Sequence, residues 1–256
     1  MNYILLYKTA MLAGEIMARS GAETFRVEDT MVRILKTSEF QSIDVHATTT
    51  GIMATLADPS IEPITGVKRI SDRSNNLSRI SEVNQISRDI CDGKMTIEDA
   101  YEKLHTIKEQ KIYKDITIAV ATLISTGCFV GLFGGNITDF FIATVNGSFI
   151  VLISIFFKKR VTSAFISDAV KSFAIAFFTM LGTYYLKDTH AEIIIIGSIM
   201  PLVPGIPITN AVRDTLQGDY MSGTARAAEA FVISIGIAVG VGFGMGFFNF
   251  FERMLY

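Results

Sequence analysis

From residue 113 onward the chain alternates between apolar stretches of bilayer length and short polar connections, and no other feature limits its fold so strongly. Five windows, at about 116–135, 138–157, 169–186, 193–209 and 230–251, each approach the ~20 residues that a helix needs to cross ~30 Å of hydrocarbon. Residues 1–112 carry 14 Lys and Arg with 16 Asp and Glu, whereas the longer remainder carries 9 and 9. The sequence therefore predicts a mostly α membrane protein: an N-terminal cytoplasmic α+β domain over 1–112, then a five-helix transmembrane bundle over 113–256. The fourth helix of that bundle is broken by proline.

The first segment is interrupted by Lys8, Glu15 and Arg19 at helical spacing, so it reads as an amphipathic helix rather than a cleavable signal peptide. Cys91 and Cys128 fall on opposite sides of the expected domain boundary, which argues against a disulfide or a metal site. Basic residues set the expected orientation. "KKR" at 158–160 and the pair Arg213 and Arg226 flank one set of loops, while "GGNITD" and "KDTHAE" share a single Lys187. The N-terminus is expected in the cytoplasm and the C-terminus outside, in a cytoplasmic (inner) membrane.

In the N-terminal domain, apolar periodicity predicts helices at about 2–19, 23–37, 75–91 and 96–110, with strands at 41–48, 50–57 and 61–70. Ser20 and Glu23 have capping-box spacing, as do Thr96 and Asp99, and "DG" at 92–93 marks a turn. Ser20, Asp44 and His46 supply the residue types of a hydrolase, but no nucleophile elbow accompanies them. Asp44 and His46, two apart on a strand, are expected on its polar face. No phosphate-binding loop, paired Cys/His site or basic nucleic-acid patch is found, so the sequence predicts no cofactor, no nucleic acid and no enzyme.

Ionisable residues in or beside the apolar windows are costly and usually carry a pairing or functional reason. Asp168 and Lys171 are spaced for an intrahelical pair, with a proton-coupling role as the alternative. Asp139 reads as a headgroup anchor. Gly236, Gly240 and Gly244 recur every four residues as a helix-packing face, which Gly242 and Gly246 would widen. The fourth window runs into "IMPLVPGIPITNAVRD", where Pro201, Pro204 and Pro207 forbid an uninterrupted helix. A break at membrane depth is tolerated where it is buried in protein or lines a wet cavity, and transporters use such breaks at solute sites. Pro204, Gly205, Pro207, Asn210, Arg213, Asp214 and Arg226 are the candidate pathway residues. Arginine suits a carboxylate; Asp214, Asp219, Glu229 and Asp168 are the candidates for a coupling proton. The competing reading is an intramolecular ion-pair network that staples the fourth and fifth helices.

"AGEIMARSGAETFRVEDTM" and "PLVPGIPITNAVRDTLQGDYMSGTARAAEA" together resemble the threonine/serine exporter family, over essentially the whole chain. The resemblance implies a secondary exporter of small hydrophilic metabolites, driven by the proton motive force, with threonine and serine as founding solutes. It also implies functional positions at Gly21, Glu23, Arg26, Pro204, Gly205, Pro207, Asn210, Arg213, Asp214, Gly218, Asp219, Gly223, Arg226 and Glu229. Longer members have about twice as many spans. This chain resembles the first component of a split, two-polypeptide version associated with succinate export, which implies a second small integral membrane subunit or a homo-oligomer as partner. The alternatives are a membrane-anchored hydrolase acting through the N-terminal domain and a non-transporting scaffold subunit. Alanine at Arg213 or Asp214 is expected to abolish export.

Overall fold

The computed structural model describes residues 2–110, 113–157 and 163–255, so the basic run at 158–160 lies outside the described residues. Two compact units result, 1–112 with 205–228 and 113–204 with 229–256.

In the first unit, α1 (Tyr3–Arg19) and α2 (Thr24–Lys36) are followed by an antiparallel sheet, β1 (Ser42–Ala47), β2 (Gly51–Asp58) and β3 (Ile61–Arg69), in the order β1-β2-β3. Helices α3 (Leu77–Cys91) and α4 (Ile97–Glu109) complete the N-terminal part. The second cap pair forms as expected, with Thr96 Oγ1 accepting the Asp99 amide at 3.1 Å, and Gly93 turns the chain at φ +69°. Ile52, Ala54 and Leu56 alternate inward on β2, while Asp44 and His46 lie on the exposed face of β1.

Helix α1 departs from the amphipathic expectation. Leu12 to Ala18 are all buried, because α2, α3, α4 and the sheet pack around it. Its one buried carboxylate, Glu15, gathers Arg19, Lys68 and Lys108 at 3.2, 3.3 and 3.1 Å. Burial alone would raise the Glu15 carboxyl. The Lys108 hydrogen bond and the charges of Lys108, Lys68 and Arg19 outweigh it, holding the group below the ordinary carboxylate value.

The second unit contains α5 (Asp115–Leu132), α6 (Ile137–Phe157), α7 (Ala164–Tyr185), α8 (Ala191–Ile199) and most of α10 (Tyr220–Leu255). Among the described residues, α5, α6, α7 and α10 are long and apolar enough to span a membrane; a fifth span exists if α8 and α9 (Gly205–Leu216) are counted together. The expected helix over 193–209 is interrupted. Helix α8 tightens into a 3-10 turn at Met200–Leu202, and Val203, ahead of Pro204, takes the extended conformation that proline imposes on its predecessor. Residues 191–202 reach only ~18 Å, too short to cross alone. Pro207 is accommodated because it sits in the first turn of α9, where amides have no intrahelical acceptor.

Close packing in the second unit follows the glycine period. A Cβ at Gly240 would lie 2.2 Å from the Ala169 carbonyl oxygen of α7, and Gly236 and Gly244 approach Phe165 and Phe173 similarly. Gly242 and Gly246 face open space, so they do not widen that face.

Candidate functional site

The site begins where α1 stops. Gly21 adopts φ +82° and reverses the chain, and a Cβ there would fall 2.7 Å from Asn75 Oδ1, so space and backbone both select glycine. The chain then enters α2 at Thr24, leaving the first amides of that helix without intrahelical acceptors. The expected Ser20–Glu23 capping box does not form: Ser20 closes α1 and is buried, and the Glu23 side chain makes no cap bond. Asp214, 190 residues away, takes that role. Its Oδ1 accepts the Thr24 amide at 3.0 Å and its Oδ2 accepts the Thr24 hydroxyl at 3.2 Å. A carboxylate at a helix start is also favoured by the helix dipole.

Two further bonds fix the same loop. Asn210 Nδ2 donates to the Gly21 carbonyl at 2.8 Å, and Arg226 Nη2 donates to the Ala22 carbonyl at 2.7 Å. Arg226 Nε stands 2.8 Å from Asp214 Oδ2, and the two side chains are 9% and 1% exposed. The α9 sequence permits this because Asn210 and Asp214 are four apart and share a helical face. Arg226 reaches them from α10 because the turn between the helices is tight. Gly218 takes φ +92°, and a Cβ at Gly223 would sit 2.2 Å from Thr215 Oγ1 and 3.0 Å from the Ala211 carbonyl oxygen. The stapling alternative is thus realised within the first unit by Asp214 and Arg226.

A cavity of about 350 Å³ opens beside this joint, lined by Glu23, Arg26, Leu77, Ile80, Gly205 and Asn210, with Arg213 at its edge. Arg213 Nη1 donates to Glu23 Oε1, and Arg26 Nε lies 3.3 Å from Glu23 Oε2. Arg213 and Arg26 remain about half exposed, at 54% and 53% of their side chains. Each therefore keeps nitrogen donors turned to solvent. Pro204 is buried, and Pro207 half-buried.

The remaining proton candidates separate. Asp168 pairs with Lys171 at 3.0 Å within α7, the intrahelical contact that the spacing predicts. Glu229 is half-buried and has a partner. Asp219 acts on a group that the sequence reading passed over, Glu28 of α2. Burial pushes the Glu28 carboxyl above its ordinary value and the Asp219 charge adds to this, against the Ala47 amide bond at 2.7 Å and His46 at 3.5 Å. The hydrolase residues are not assembled: in the described contacts Asp44 bonds Ser42 and His46 approaches Glu28, with Ser20 partner to neither.

In the second unit, Asp139 is fully buried rather than placed as a headgroup anchor. It exchanges capping bonds with Asn136 and accepts the His190 amide at 2.9 Å, with His190 Nδ1 at 2.8 Å. Deeper in α6, Asn146 Nδ2 donates to Thr179 and Ser198 at 2.8 and 3.1 Å.

The residues that meet at the 20–24 loop come from the two segments that carry the resemblance stated above. Residues 8–248 match the ThrE model of threonine/serine exporters. The chain belongs to the threonine/serine exporter family. It is 23% identical over 225 residues to a probable threonine/serine exporter of Mycobacterium tuberculosis, a match covering 87% of this chain and 42% of that protein. It is 24% identical over 228 residues to the probable succinate transporter subunit YjjP of Klebsiella aerogenes, covering 86% of this chain and 84% of the relative. The corresponding Escherichia coli protein is 23% identical over 233 residues, covering 87% and 86%. The chain thus spans less than half of the mycobacterial relative and most of the two subunits. No solved structure matches it. Family and relatives point to a transporter rather than an enzyme, and with the apolar helices they identify a multi-pass membrane protein of the threonine/serine exporter family.

Proposed function

We propose that this chain is a subunit of a proton-coupled secondary exporter of small amino or carboxylic acids in the cytoplasmic membrane, N-terminus inside, and that its solute is held at the cavity beside the 20–24 loop. The observation that carries this reading is the pair of half-exposed guanidiniums, Arg213 and Arg26, on one cavity built from both family segments. Guanidinium is matched to carboxylate in shape and charge. Arg226 and Asp214, both candidates for solute or proton from the sequence, serve instead to hold the cavity wall, since each is buried against the other. Asn210 shares that work through Gly21; Gly205 opens α9 and lines the cavity, with Pro204 just before that helix and Pro207 in its first turn. For the coupling proton, Glu28, whose carboxyl is pushed up by burial and by the Asp219 charge, is favoured over Asp168, whose charge is already met by Lys171; Asp219 and Glu229 stay candidates. The partner would be a second membrane polypeptide supplying what the longer mycobacterial relative carries in one chain.

The test is flux of labelled threonine, serine and succinate from proteoliposomes under an imposed pH gradient, with this chain alone and with a co-purified small membrane partner. Arg213→Ala is expected to abolish flux with the protein still folded and inserted. Undiminished flux by that variant would sink the assignment.

A further inference from the structure

The buried carboxylate of the second unit has a partner for which the solute site has no use. Asp139 sits in the first turn of α6 and accepts the Asn136 and His190 amides at 3.0 and 2.9 Å, which ties the start of α6 to the start of α8. Either amide could be held by a neutral acceptor. The imidazole contact is additional: His190 Nδ1 stands 2.8 Å from Asp139 Oδ2, the carboxylate is 0% exposed and the histidine side chain 57%. An ionised carboxylate only accepts, so Nδ1 carries the hydrogen and Nε2, on the opposite edge of the ring, is the basic nitrogen. Nδ1–H stays on the carboxylate whether the ring is neutral or charged, so a proton can arrive at Nε2 and leave it while that bond persists. On arrival the ring becomes imidazolium and forms a neutral pair with Asp139. Of the helices packed on α8, α6 offers only Asp139 as a charge in its first two turns, and the last two turns of α5 and α7 hold Cys128 and the Tyr184 and Tyr185 phenols but no charged side chain. The turn before α8 and its first residues add Lys187, Asp188 and Glu192, all exposed.

We infer that His190 is the outer proton acceptor of the exporter, with Nε2 as the accepting atom and Asp139 as its positioning residue, an inference that rests on the proton coupling and orientation proposed above. In that orientation the turn before α8 faces outside, where the proton motive force supplies protons. The proton comes from external hydronium, leaves water behind, and makes one new N–H bond. His190 immediately precedes α8, so the arriving charge is placed at the start of the helix that runs into the proline break. A positive charge there opposes the α8 dipole, and the Asp139 carboxylate offsets it.

The experiment is efflux of labelled threonine, serine or succinate from oriented proteoliposomes of the full-length protein, with its co-purified small membrane partner where flux requires it. The 190 turn faces the bath, the lumen is held at constant pH, and the bath is varied from about pH 8 to about pH 6, across which an imidazole goes from a few per cent to mostly protonated. Wild-type efflux should rise about tenfold over that range. His190→Asn keeps an amide nitrogen in the place of Nδ1 but takes up no proton, so its efflux should vary by less than about twofold. Asp139→Asn removes the charge behind the ring and should move the rise to a lower bath pH by about one unit. A wild type whose efflux ignores bath pH, or a His190→Asn rise that matches wild type, overturns the acceptor and leaves the solute site. A loss of efflux in both variants that is equal at every bath pH marks a purely structural joint and also overturns it. Efflux by Arg213→Ala with the wild-type rise sinks the solute site and leaves the acceptor, and no flux of any of the three solutes by wild type overturns both. Should His190→Asn fail to insert, His190→Gln decides by the same readout.

Discussion

Removing the Asp214 carboxylate tests the joint between the two family segments. In Asp214→Ala, Arg226 keeps its bond to the Ala22 carbonyl but loses its counter-charge while only 9% of its side chain is exposed. Breaking one side of a buried pair costs about 3–5 kcal/mol, and loss of a helix cap adds about 1 kcal/mol. These contributions overlap at the same atoms, so ~4 kcal/mol is expected for the first unit. At ~2–4 °C per kcal/mol, the melting temperature should fall by ~8–16 °C. The assay is far-ultraviolet circular dichroism of the full chain in detergent. The double substitution Asp214→Ala with Arg226→Met removes both charges and should recover most of the loss, because the penalty of an unpaired buried cation disappears. A fall of less than ~3 °C in the single variant, or a double variant as unstable as the single, would refute the reasoning.

Gly21→Ala should lower the melting temperature by ~3–8 °C, since alanine at φ +82° is strained and its Cβ meets Asn75 Oδ1. Gly240→Leu should destabilise the second unit where Gly242→Leu does not, because only Gly240 faces the Ala169 carbonyl; thermal unfolding of the pair compares them directly. Glu15 has a folded-state value below the unfolded one, so its stabilisation is complete above the unfolded carboxyl value, about 4.3, and is lost as pH falls through the lower folded value. Acid unfolding of Glu15→Gln should therefore show a flatter pH dependence than wild type below about pH 5.

What could be foreseen and what could not divides by the range of the interaction. Strands β1 to β3 and helices α2 to α4 were readable because their signals, alternation, period and the Thr96–Asp99 cap, lie within a few residues of one another. The helix break was equally local, since proline acts on its own predecessor. The Ser20–Glu23 box failed for the converse reason: spacing reveals only a local partner, whereas Ser20 ends α1 with its amide bound to the Ile16 and Met17 carbonyls, and the Thr24 amide that opens α2 is held by the distant Asp214. Asp139 was misjudged because its partner His190 lies 51 residues on, and Glu28 was missed because a charged residue on an otherwise regular helix gives no sign of what it will be buried beside.

The separation between Thr24 and Asp214 also has a meaning in time. Helix α2 leaves the ribosome with its first turn uncapped, and the residue that completes it follows 190 positions later, after α5 to α8. At ~5–20 residues per second this delay is about 10–40 s. During it the 20–24 loop has neither Asn210, Asp214 nor Arg226 to hold it, so the cavity takes shape only after α5 to α8 have been made.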